Sequence, residues 1–231
     1  AIAFRQASLG RPGPVFLELP PDILSVSTEL EAVQFPGKSI HAARVAADPA
    51  RIEAAAQIIN SAEKPLLLGG SGVGASDCEA SLAAFLEKSG MPFSLINNGR
   101  GVLPDSHPQC INEGGFTSLL TVLPQADVIV AAGVRFNWLL QSGQLFPDAK
   151  VIRIDIDPTE IDRNRAADVG LVGDIDLVLK QLHPLIEKGE HSEWDNTLRS
   201  AYKAFLTTEL ELKEKPSDPI HPIRLVAKVL E

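Results

Sequence analysis

Cysteine is scarce here: Cys78 and Cys110 are the only two in 231 residues, far apart and without metal-ligand spacing. That excludes a disulfide scaffold and a cysteine-based zinc site, and two idle or buried thiols suit a reducing compartment. No apolar run approaches the roughly 18 residues that a membrane-spanning helix needs. No secretory leader pattern opens the chain. No cluster of Lys and Arg stands out against a formal net charge of -9. Neither nucleic acid nor a membrane is therefore expected as a partner, and the expected location is cytoplasmic.

Catalytic motifs are also missing. There is no G-x-S-x-G, no convergent Ser/His/Asp pattern and no metal spacing. His107 sits in "PDSHP" as a loop residue, while His41, His183, His191 and His221 are scattered and read as surface or capping residues. No catalytic residue and no metal ligand is assigned.

What is present is an ordinary globular composition, 45% hydrophobic and 22% charged, enough for one sizeable α/β domain with appendages. Asp48-Pro49 caps a helix that carries Ile52, Ala55, Ala56, Ile58 and Ile59 at helical spacing. "KPLLLGG", "MPFSLI", "ADVIVAAG", "KVIRIDID" and "VGLVGD" read as strands, and "ADVIVAAG" is buried on both faces because nothing polar alternates in it. "ASDCEASLAAFLEKSG" reads as a helix with a Ser76/Glu79 capping box and a C-terminal cap at Gly90. The segment 115–123 and "DIDLVLKQLHPLIEKG", capped by Asp174, read as further helices. Alternation of strand and helix predicts a Rossmann-like, mainly parallel sheet with helices on both faces. Ligands in such sheets sit at the carboxyl ends of the strands.

Around this core the expected organisation is 1–24 as a leading appendage with a strand-like run at Val15–Leu19, and 25–47 as a connector. Residues 48–189 form the main domain, 190–218 a helix and linker, and 219–231 the start of a further helix. Both ends read as cut from a longer protein.

Several residues are candidates for a ligand site. Gly70, Gly72 and Ala75 fit a loose G-x-G-x-x-G/A pattern between strand and helix, where small residues let a phosphate reach backbone N–H groups. A plain tight turn explains them equally. The acid that a dinucleotide fingerprint expects on the next strand is absent, since that strand ends "LINNG", which disfavours an NAD-linked dehydrogenase. Arg135 follows a buried strand, where it suits phosphate or adenine recognition, or pairs with a surface carboxylate. Asp155 ends its strand and can accept from a ribose hydroxyl. Asp157 reads as a cap in "DPTE". Asn137 and Trp138 read as pocket or core residues.

Five motifs, in order, carry a family resemblance: "GRPGPVFLELPPDIL", "GRGVLPDSHP", "ADVIVAAGVRFNWLL", "VIRIDIDPTEIDRN" and "GLVGDIDLVL". Together they resemble thiamine-diphosphate-dependent enzymes, above all acetolactate synthase, oxalyl-CoA decarboxylase, 2-hydroxyacyl-CoA lyase and benzaldehyde lyase. "FNWLL" is similar to the CoA-thioester members, whereas "GVRF" with "IDIDPTEI" is similar to acetolactate synthase.

The resemblance implies the end of a pyrimidine-binding domain (1–24), a complete central domain, and the first helix of a pyrophosphate-binding domain (219–231). In the family, the cofactor-activating glutamate lies earlier in the first domain and the Mg-binding G-D-G…N motif lies in the third. "VGDI" at Gly173-Asp174 is not that motif. Thiamine diphosphate and Mg are therefore expected in the full-length parent, not in this stretch, which alone should not turn over substrate. The family's central domain holds FAD in some members, ADP in others and nothing in the rest. Carried over by motif, the implied contacts are Gly69, Gly70, Ser71, Arg135, Asp155, Asp174 and Ile175. The implied partners are the other domains of the chain, a nucleotide or CoA, and further copies in a dimer or tetramer. The rivals are a ligand-free structural or oligomerisation module, and an NAD-linked or sirtuin-like domain.

Overall fold

Five short apolar runs become the five strands of one sheet: β1 (Pro65–Gly69), β2 (Phe93–Leu95), β3 (Val128–Ala132), β4 (Lys150–Asp155) and β5 (Val169–Val172). The computed structural model describes residues 2–33, 44–111 and 115–230. Residues 34–43 of the expected connector, His41 among them, lie outside the described residues. The chain divides into two units, up to Val45 and from Ala46 onward.

In the second unit every strand pairing is parallel, in the order β2-β1-β3-β4-β5. The α/β Rossmann-like expectation is met. Leu67 lies beside Val130, and Val130 beside Ile152. These three point to one face, against Ile52, Ala55 and Ile59 of α3 (Pro49–Asn60), Leu82, Phe85 and Leu86 of α5 (Glu79–Ser89), and Val178, Leu179 and Leu182 of α7 (Ile175–Leu182). Leu66, Leu68, Ile129, Ala131 and Val151 point to the other face. There they meet Leu119 and Val122 of α6 (Gly115–Val122) and Trp194 and Leu198 of α8 (Ser192–Glu214). Period-two alternation sends neighbouring residues to opposite faces, so a strand covered on both sides reads as a continuous apolar run. The edge strand β2 is covered by residues 109–111: Phe93 N–H donates to Gln109 O at 2.9 Å, and Ile111 N–H to Phe93 O at 2.9 Å.

The amino ends of the strands are locked by side chains. Asp127 accepts from the N–H groups of Glu63 (2.7 Å) and Lys64 (2.9 Å). The Trp194 indole N–H reaches from α8 to Pro65 O at 2.9 Å. The cap at Asp48 forms as expected, accepting from Ala50 and Arg51 N–H, and Gly90 ends α5 at φ +65°.

Three local expectations are corrected. The Ser76/Glu79 capping box does not form: the chain makes a short helix α4 (Ser71–Ala75), and Asp77 turns at φ +46° before α5 starts with Cys78 as its cap residue. Ser76 Oγ donates to Val73 O instead. The helix capped by Asp174 stops at Leu182 and tightens to a single 3₁₀ turn at His183–Leu185, where Pro184 lacks the N–H that an α-helix requires. Finally, the run Val15–Leu19 is not a strand, and Val15, Phe16, Leu17 and Leu19 are exposed. A strand needs a paired neighbour, and none lies beside it among the described residues. The first unit contains helix α1 (Ile2–Ser8) and the one-turn α2 (Pro21–Leu24). The last helix, α9 (Pro222–Leu230), belongs to the second unit. No helix among the described residues is long and apolar enough to cross a membrane.

Candidate functional site

Strand order reverses between β1 and β3, and doubly wound sheets open a crevice at the carboxyl ends of such a pair. The residues expected at a site all follow strand ends: Gly69, Gly70 and Ser71 at β1, Arg135 after β3, Asp155 at the end of β4, Asp174 and Ile175 after β5.

At the switch point the β1 turn packs backbone to backbone on the β3 turn. A Cβ on Gly70 would lie 2.5 Å from Gly133 O, and one on Gly72 would lie 2.7 Å from Gly133 Cα. Gly133 has φ +55°, a conformation that favours glycine. A Cβ on Gly99 would lie 2.6 Å from Gly70 O. Gly70 N–H donates to Ala132 O (2.9 Å), Gly72 N–H to Gly133 O (3.0 Å) and Val73 N–H to Gly70 O (3.1 Å). Close loop packing thus accounts for these glycines, and amides that a phosphate would use are committed inside the protein. Asp174 caps α7, accepting from Leu177 N–H at 3.3 Å. The Ile175 side chain is core, placed beneath Gly133.

One strand over, the chemistry is charged. Arg135 is 56% exposed, and its Nε lies 3.4 Å from Glu160 Oε1. The contact is an ion pair without a hydrogen bond, and neither Nη group makes a hydrogen bond among the described residues. Glu160 is buried in the turn after β4 (2% exposed) and also meets Arg163 Nη1 at 3.1 Å and Arg153 Nη2 at 3.9 Å. Arg153 is itself buried, lies over the Phe136 ring at 4.2 Å, and donates to Arg163 O (3.0 Å) and Val134 O (3.2 Å). Burial pulls its pKa below the usual arginine value, and the nearby carboxylates of Asp155 and Glu160 oppose that shift.

Asp155 Oδ1 accepts from Asp157 N–H at 3.0 Å, and Oδ2 has no hydrogen-bond partner among the described residues. Burial pushes the Asp155 carboxyl above its usual pKa, and the Asp157 hydrogen bond partly offsets this. Asp157 is a cap, as expected, accepting from the N–H and Oγ1–H of Thr159.

The loop after β3 presents Trp138, 80% exposed, and so is not core. Gln141 (φ +45°) and Ser142 (φ +55°) hold left-handed conformations that cost about 1–3 kcal/mol each. A clasp from residues 164 and 165 holds them: Asn164 Nδ2 donates to Phe136 O at 2.6 Å, and Arg165 donates to the carbonyls of Gly143 (2.8 Å) and Ala149 (2.7 Å).

Sequence reasoning missed Glu160, Arg153, Arg163 and Arg165. One signal was there: Arg153 is a charge in the middle of "VIRID", a run otherwise apolar up to its terminal Asp155, and a charge at such a position needs a partner inside.

Comparison with known proteins agrees with this architecture. The family model described as "Thiamine pyrophosphate enzyme, central domain" matches residues 52–182. Mouse 2-hydroxyacyl-CoA lyase 1 is 32% identical over 227 residues, covering 95% of this chain and 38% of that protein. The acetolactate synthase isozyme 1 large subunit of Escherichia coli is 32% identical over 208 residues, covering 88% and 36%. A probable acetolactate synthase large subunit of Methanocaldococcus jannaschii is 30% identical over 237 residues, covering 99% and 40%. The chain thus spans well under two thirds of the relatives it matches. On the match across its sheet and helices, the chain belongs to the thiamine pyrophosphate enzymes, whose central domain it carries.

Proposed function

We propose that this domain serves a thiamine-diphosphate-dependent enzyme acting next to the carbonyl of 2-keto or 2-hydroxyacyl substrates. We propose further that its carboxyl edge between β3 and β4 takes an adenine nucleotide: ADP, FAD or the nucleotide end of CoA. The observation that carries the nucleotide reading is Arg135, paired at Nε with Glu160 and with no hydrogen bond at either Nη group among the described residues, in the loop after the strand that neighbours the one ending at Asp155. A guanidinium with an open fork suits a phosphate, and a strand-end carboxylate oxygen suits a ribose hydroxyl. Thiamine diphosphate would supply the ylid chemistry in the full-length protein. The residues here do not fit that cofactor's metal: among those described, no group of three or more His, Cys, Asp or Glu could hold one. No step of that chemistry is assigned to this chain. Its share is to bind, to orient and to scaffold.

The test is thermal unfolding with ADP, FAD and CoA. At a hundredfold excess over Kd a ligand stabilises by about 2.7 kcal/mol, or roughly 5–10 °C for a domain of this size. A shift of that order with one of the three, lost in Arg135→Ala, supports the cleft. No shift with any of them favours the second reading, a ligand-free structural module. The committed amides of Gly70, Gly72 and Val73 and the capping role of Asp174 favour that module.

A further inference from the structure

We propose that Glu160 is the positioning residue of this cleft: buried and fixed from behind, it grips Arg135 through Nε and so presents both Nη groups to the phosphates of a bound nucleotide. The inference rests on reading the carboxyl edge as a nucleotide cleft.

Glu160 is well placed to act as an anchor. It follows the Asp157 cap in a 3₁₀ turn, its Oε1 faces Arg163 at 3.1 Å, and its Oε2 faces Arg153 at 3.9 Å. Arg153 cannot give way, because Val134 O, Arg163 O and the Phe136 ring hold it in the core. Arg135 is different. More than half its surface is exposed, and its one side-chain partner among the described residues is Glu160. A free arginine carries about 2 kcal/mol of rotamer entropy that it would lose on clamping a ligand. Held at Nε, it has lost part of that beforehand, which is what preorganisation means. The glutamate is shared: one carboxylate faces three guanidiniums, so Arg135 alone does not neutralise it. A planar fork faces Glu160 with Nε while both Nη groups spread toward a phosphate; a lysine ammonium at 135 is a compact point charge on a flexible stem and lacks that fixed geometry.

The experiment is isothermal titration of ADP into the full chain and its variants, with unfolding followed in parallel. Arg135→Ala is expected to weaken ADP roughly tenfold or more, the scale of a lost charge-assisted hydrogen bond. Glu160→Gln is expected to weaken it several-fold, but less than twofold further in the Arg135→Ala background. Arg135→Lys is expected to bind several-fold more weakly than the unmodified chain. If the unmodified chain takes none of ADP, FAD and CoA, or Arg135→Ala binds as tightly, the cleft reading itself fails; if it takes FAD or CoA instead, the same variants are titrated with that ligand. If Arg135→Ala loses ADP while Glu160→Gln keeps it, or Glu160→Gln costs as much in the Arg135→Ala background, positioning is refuted and the cleft stands. Arg135→Lys leaves the buried carboxylate intact, so it decides the matter even if Glu160→Gln does not fold: full affinity there overturns the proposal.

Discussion

The glycines of the β1 turn offer a sharp test of why they are there. Gly70 has φ -106° and ψ -158°, an extended conformation open to any residue. Alanine there would carry no backbone strain, so its whole cost is contact. The new Cβ would sit 2.5 Å from Gly133 O and 2.7 Å from Val134 Cα. Both are main-chain atoms, and neither can swing aside as a flexible side chain would. Gly133 is tied twice, by its N–H to Ile154 O at 2.8 Å and by its O to Gly72 N–H at 3.0 Å. Relieving the overlap means moving that carbonyl and weakening the Gly72 bond. Overpacking costs about 1–3 kcal/mol, and the strained hydrogen bond adds about 1 kcal/mol. A loss of about 2–4 kcal/mol lowers the melting temperature by roughly 5–15 °C at this size. The assay is thermal unfolding by circular dichroism without ligand. Gly13→Ala is the control, since a Cβ there meets nothing within 4 Å. If Gly70→Ala melts with the unmodified chain while the control is silent, loop packing is not what the glycine serves, and the phosphate cradle regains its claim.

Two further outcomes follow from the site. Burial raises the Asp155 pKa above the ordinary carboxylate value, so the stability it contributes is complete below that ordinary value and is lost as pH climbs through the raised one. Asp155→Asn does not titrate; its melting temperature minus that of the unmodified chain should therefore grow as pH rises from the ordinary carboxylate range through the raised value, and a flat difference would refute the shift. Arg165→Ala removes donors to the Gly143 and Ala149 carbonyls, at about 2–3 kcal/mol for lost charged hydrogen bonds. Hydrogen exchange should quicken at Leu139 and Ser142 while β1 keeps its protection; unchanged protection in the loop would remove the clasp from the account.

The sheet was legible in the sequence because strands buried on both faces leave an unmistakable apolar run, and caps such as Asp48 and Asp157 are local patterns. The Ser76/Glu79 box failed for a related reason. The same spacing occurs wherever a turn separates two helices, and the conformation of Asp77 was not written locally. Glu160 was hidden more deeply. Its position in "DPTE" is sufficient for a cap, so nothing local asks for more, yet its partner Arg135 lies in the loop after β3 and Arg153 on β4, two elements that the parallel register brings side by side. Trp138 was misjudged because a tryptophan beside buried strands is usually packed, and the carbonyl clasp that holds its loop outward lies in a later segment.

The locks at the amino ends, Asp127 on Glu63 and Lys64 and Trp194 on Pro65, lie at the opposite rim of the sheet from Arg135 and Asp155. The two rims can therefore change on separate schedules. A lineage could redraw what the carboxyl rim recognises, or let it recognise nothing, while the amino rim keeps the scaffold upright.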